Sequence, residues 1–147
     1  MRSKSLFLEG ALGFILGIIL CGSLFLFFSI FNYPSSKIID ILFALLLFPV
    51  IEEAFKYLPL QSSLFKRNYI LVGLMIGLGF GLLENFIYIY PHFNQFGSIL
   101  FAYRIKATSL HIATGLLMGF AVSKKKGWLG LLLAILLHSL FNFFIEF

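Results

Sequence analysis

Five runs of about twenty mostly apolar residues dominate this chain, and they leave it few ways to fold. They span 10–31, 38–60, 70–90, 102–122 and 128–147. A hydrocarbon core about 30 Å thick is crossed by about 20 residues of α-helix. A backbone in lipid must also satisfy its own hydrogen bonds, which helices do. The fold class expected is therefore all-α: one integral-membrane domain over residues 1–147, a polytopic transmembrane helical bundle of about five helices. Composition agrees. The chain is 61% hydrophobic and 12% charged, about half the charged fraction of a soluble domain, so it cannot coat itself in polar surface.

Short loops join the runs, the longest being an aromatic loop expected over 91–101. The first run exceeds the 7–15-residue core of a signal peptide and is read as a retained helix. Arg2, Lys4, Lys66, Arg67, Lys124, Lys125 and Lys126 fall on one side, and Lys37, Arg104 and Lys106 on the other. Seven basic residues against three place the N-terminus in the cytoplasm and the C-terminus outside. The net charge of +5 thus reports orientation in a bilayer, and no nucleic-acid partner is expected. The single cysteine, Cys21, excludes an internal disulfide and a cysteine metal cluster.

With so little chain outside the membrane, function is sought inside it. An ionisable residue at mid-bilayer costs about 2.5–3.5 kcal/mol. The second run nevertheless carries Glu52, Glu53 and Lys56, and the third carries Glu84 and Asn85. The fourth carries His111, and the fifth His138 and Asn142. Pro49, Glu52, Glu53 and Lys56 follow the i, i+3, i+4, i+7 spacing of one helix face. Pro49 has no N–H for the carbonyl of Leu45, so the helix is expected to kink there. Two adjacent carboxylates beside one lysine suit a general base, whereas a packing device needs only one glutamate. His138 and Asn142 lie one turn apart and can donate into the same spot. Gly73, Gly77 and Gly81 form one smooth stripe and Gly115 and Gly119 another. Asn85 continues the first stripe and His111 the second, so both are expected to face the bundle interior. Helical rise puts the polar residues of four runs at similar depth.

The Glu52-Glu53-Ala-Phe-Lys56 pattern, Phe80-x-x-x-Glu84-Asn85, His111 and His138-x-x-x-Asn142, in this order, resemble the PrsW family of intramembrane proteases. More distantly they resemble the superfamily of CAAX proteases and bacteriocin-processing proteins. The wider superfamily has Glu-Glu-x-x-x-Arg and a histidine ending its second motif. Lys56 stands one residue closer and Glu84 replaces the histidine, and both departures lean toward PrsW.

The resemblance implies an intramembrane endopeptidase of a prokaryotic cell membrane, acting on a membrane-anchored protein or peptide. An anti-sigma factor and a prenylated or leader-bearing peptide are the substrate types it suggests. Glu52 would activate the attacking water, with Glu53 and Lys56 holding it. His138 and Asn142 would stabilise the oxyanion. Glu84 and His111 would orient the water or protonate the leaving amine. No cofactor is required by this mechanism. The alternative is a zinc site on Glu52, Glu84, His111 and His138, whose oxygen and nitrogen donors suit that ion. Two other classes stay open: a proton- or ion-coupled transporter or channel, since intramembrane Glu and His also form proton relays, and a non-catalytic receptor that keeps the protease fold.

Overall fold

A computed structural model describes residues 2–30, 36–62, 65 and 68–146. The predicted run ends at Phe31 and Phe147 and the loop cations Lys66 and Arg67 lie outside the described residues. The described residues are almost wholly helical, with α1 at Arg2–Ile30, α2 at Lys37–Leu42, α3 at Phe48–Gln61, α4 at Tyr69–Ser123 and α5 at Gly127–Glu146. Four stretches are long and apolar enough to cross a membrane: Leu6–Ser29, Tyr69–Pro91, Arg104–Ser123 and Gly127–Phe144. The expected all-α membrane bundle is the observed fold.

The second run is the exception to regularity. Between α2 and α3 lies one π-helical stretch, Phe43–Leu47. The Phe48 N–H reaches back to the Phe43 carbonyl, five residues away. In that wider register the Ala44 carbonyl would accept from residue 49, and residue 49 is Pro49, which has no N–H. The carbonyl left over is therefore that of Ala44. The Asn142 amide of α5 donates to it at 2.8 Å, as buried backbone acceptors require.

Residues 91–101, expected as a loop, are helical and belong to α4. A straight 55-residue helix would set Gly73 and Gly115 about 63 Å apart, yet Gly73 faces the Gly115 carbonyl. The helical path therefore reverses, and α4 is two antiparallel limbs. Pro91 removes a single donor, and lipid favours keeping the remaining backbone bonds internal.

The two glycine stripes meet each other across these limbs. Gly77 lies against the His111 backbone, Gly81 against Thr108, and Gly119 against the Tyr69 carbonyl. A second set seats α1 on the first limb, where Gly17 faces the Ile76 carbonyl and Gly79 the Phe14 carbonyl. Such backbone contact substitutes packing for the hydrophobic drive that lipid does not supply. The second limb ends in a tight reversal. Lys125 adopts φ 59°, and Lys126 N–H bonds back to the Ala121 carbonyl at 2.8 Å, a Schellman closure that turns the chain into α5.

Candidate active site

Residues from α3, both limbs of α4 and α5 converge on one polar cluster. On α3 the buried face is Pro49, Glu53, Lys56 and Leu60. Glu52 stands beside that face, partly exposed to a cavity, while Glu53 and Lys56 are wholly buried.

Glu53 Oε1 and Lys56 Nζ each make three polar contacts in the cluster. Lys56 Nζ donates to Glu53 Oε1 at 2.6 Å, and the Thr114 hydroxyl at 3.3 Å. His138 Nδ1 lies 2.7 Å away. A carboxylate accepts, so the proton of that ring sits on Nδ1 and His138 Nε2 carries a lone pair. Lys56 Nζ also lies 2.9 Å from His111 Nδ1 and 3.2 Å from the Thr114 hydroxyl, and 5.0 Å from the centre of the Phe80 ring. Because an ammonium only donates, His111 Nδ1 is the acceptor and Nε2 bears the proton. That proton points to Glu84 Oε2 at 2.7 Å. Arg104 Nη2 holds the same oxygen at 2.8 Å.

The result is one connected chain: Arg104, Glu84, His111, Lys56, Glu53, His138. Its two cations and two carboxylates balance when both histidines are neutral. Glu52 stands outside this balance. Its Oε2 is buried, has no hydrogen-bond partner, and lies 3.8 Å from His138 Nε2. Two acceptors converge with no donor between them, an arrangement suited to water or a cation.

All eight residues singled out from the sequence lie in or beside this region. Glu52, Glu84, His111, His138 and Asn142 line one cavity of about 160 Å³. Asn142 lines it while its amide is committed to Ala44, and His138 presents a lone pair rather than a donor. Neither is therefore arranged in this state as the oxyanion donor expected from the motif. Asn85 is not a lining residue. It ties the two limbs of α4 together, donating to the Arg104 carbonyl at 2.9 Å and contacting Thr108 Oγ1 at 2.5 Å, while Arg104 Nε donates to its amide oxygen at 3.0 Å.

Two members escaped sequence reasoning. Arg104 reads as a loop cation, and Thr114 as an ordinary helix residue. The available signal is spacing: Arg104, Thr108 and His111 follow i, i+4, i+7, and Thr114 lies one turn further on.

The sequence profile of the PrsW family of intramembrane metalloproteases matches residues 5–147. The chain belongs to this family. No curated protein and no solved structure matches it. For a PrsW member, the metal named in the family description asks whether these residues could hold one. Glu52, His111 and His138 each offer a ligand atom, all within 4.8 Å of one another. Two ligands about 2.1 Å from one tetrahedral ion sit about 3.4 Å apart. The free Glu52 Oε2 and His138 Nε2 are close to that spacing. Glu53 behind His138 supplies the carboxylate–histidine support common at metal sites. The group fits, with His111 joining only if a ring nitrogen gives up Glu84 or Lys56.

Proposed function

We propose that the chain hydrolyses a peptide bond in a membrane-associated protein or peptide, with Glu52 taking the proton of the attacking water. The observation that carries this reading is Glu52 Oε2, buried without a hydrogen-bond partner and 3.8 Å from His138 Nε2 on the cavity wall. A base must have an acceptor free and within reach of the water it deprotonates. Glu53 Oε2 also lacks a partner, but Glu53 is wholly buried and does not line the cavity, whereas Glu52 does.

The neighbours then have definite tasks. Glu53 orients His138 through Nδ1, and Lys56 and Thr114 hold Glu53. His138 Nε2 can receive the proton collected by Glu52 and deliver it to the leaving amine. Arg104 lines the same cavity, where its guanidinium would face a developing oxyanion. The chain would sit in the membrane of a prokaryotic cell, N-terminus inside and C-terminus outside. The order of its motifs supports a distant kinship with CAAX-type proteases.

The family description and the Glu52–His111–His138 group favour a second form of the same reaction. In it these three residues would hold a divalent ion, zinc suiting their donors, and the bound ion would supply Lewis-acid activation of water and carbonyl. Cleavage of a membrane-anchored peptide by the pure protein in liposomes tests the function. Absence of cleavage with Glu52-dependent ion flux would overturn it in favour of a transporter. Metal analysis of wild type and Glu52→Gln separates the two forms: the variant loses metal and activity together in one, activity alone in the other.

A further inference from the structure

A second and larger cavity, about 320 Å³, meets the first at the site. Its walls are apolar: Leu24, Phe25 and Phe28 of α1, Phe48 of α3, and Phe80 and Ile87 of α4. Phe25 and Ser29 of α1 and Tyr88 of α4 are exposed, so the groove opens on the outer, lipid-facing side of the bundle. Its polar members include Glu52 and Glu84, which also line the smaller cavity, as do Phe48 and Tyr88. The helix that brings no ionisable group to the site thus builds one wall of the way to it.

We infer that this groove is the side-chain subsite of the peptidase, taking a bulky apolar residue next to the cleaved bond of an extended, membrane-embedded peptide segment. The inference rests on the peptidase reading above. It follows from how the two cavities join. Successive side chains of an extended strand point to opposite faces, about 3.3 Å apart along the chain. A strand crossing the Glu52–Glu84 junction would place one side chain in the aromatic groove and its neighbour in the polar 160 Å³ cavity. The smaller space and its charged lining suit a small or polar neighbour. A bilayer acyl chain could fill the apolar walls but offers the two carboxylates nothing, whereas a peptide brings its backbone to them.

Ser29 lines the groove at an exposed position, so Ser29→Cys in a Cys21→Ser background sets one reactive thiol at its mouth. The test uses the full chain in phosphatidylcholine liposomes. N-ethylmaleimide alkylation of the introduced thiol is followed by mass, with Cys21→Ser alone as the unlabelled control. Glu52→Gln is the background, so no peptide is consumed. A hydrophobic peptide with Phe or Leu at the varied position is expected to slow alkylation at least fivefold, and the same peptide with Ala there much less. Equal protection by both peptides, or none beyond that of the lipid alone, overturns the subsite.

In parallel, cleavage of the same peptides by active protein is compared with Phe25→Ala and Ser29→Trp, both at exposed positions. Phe25→Ala is expected to cut the Phe-over-Ala preference in kcat/KM about tenfold, the scale on which apolar pockets discriminate. Ser29→Trp, at the mouth, is expected to raise KM for the Phe peptide with kcat little changed. Unchanged preference in both variants overturns the subsite while leaving the peptidase standing. Protection of the thiol introduced by Ser29→Cys without cleavage by wild type does the reverse.

Discussion

Lys56 Nζ lies 2.9 Å from His111 Nδ1, and this single contact fixes which nitrogen of that ring can act. With Nδ1 accepting, Nε2 must donate, and it does so to Glu84. The lysine thereby divides the cluster. His111 and Glu84 form one arm, Glu53 and His138 the other, and Glu52 is the carboxylate that stands in neither arm and opens on the cavity.

Glu52→Gln is expected to abolish cleavage, by at least about 10²-fold, while the unfolding midpoint in detergent stays within a few degrees of wild type. The amide matches the carboxylate in shape, and no bond is lost at Oε2. Retained turnover would remove Glu52 from the mechanism.

Lys56→Met is expected to destabilise the protein by about 3–5 kcal/mol, because Glu53 keeps a buried charge with no cation. Lys56→Met combined with Glu53→Gln should recover part of that loss. A double-mutant cycle by chemical denaturation in detergent reads the coupling. Additive losses would show that the pair at 2.6 Å contributes no mutual stabilisation.

Asn142→Ala strands the Ala44 carbonyl and is expected to destabilise by about 1–3 kcal/mol. Pro49→Ala restores an N–H at position 49 and offers that carbonyl a backbone partner. In the Pro49→Ala background, the loss from Asn142→Ala should shrink to less than half. The same loss in both backgrounds would show that Pro49 does not create the need for Asn142.

Gly77→Ala puts a methyl group against the His111 carbonyl. Separating the limbs of α4 should lower stability by about 1–3 kcal/mol and reduce kcat more than KM, since His111 shifts with its backbone. Gly22→Ala, whose added methyl would meet only Leu83 at 3.5 Å, is the tolerated comparison. Equal effects at the two positions would sink the argument.

Four of the five runs, the two glycine stripes and the eight polar residues were readable, because charge within an apolar run and glycine at helical spacing are local signals; the run at 38–60 is instead broken into α2, the π-helical stretch and α3. What was not readable depends on distant partners. The π-helical register before Pro49 becomes tenable only when Asn142, 98 residues away, takes up the spare carbonyl. The free carbonyl was therefore expected to be that of Leu45, one residue from the one that Asn142 takes up. Arg104 was hidden by its place at a span end, where basic residues ordinarily mark orientation. Thr114 was silent because a helical hydroxyl can satisfy itself, as its 3.2 Å contact with the His111 carbonyl shows. Residues 91–101 looked like a loop since Pro91 and the aromatic stretch after it separate two apolar runs. In a chain that avoids unpaired backbone groups, helix continues through both.

The ion pair of Glu53 and Lys56 lies three residues apart on a single helix, which matters before the bundle exists. During synthesis each of these charges alone would oppose transfer into lipid by about 2.5–3.5 kcal/mol. Joined within one turn, they can cross the insertion machinery as a neutral unit, before the histidines of α4 and α5 have left the ribosome. Glu52 has no such companion on its own helix. The nascent segment thus presents one unmatched carboxylate, and its stay in the bilayer is provisional until the later helices close around it.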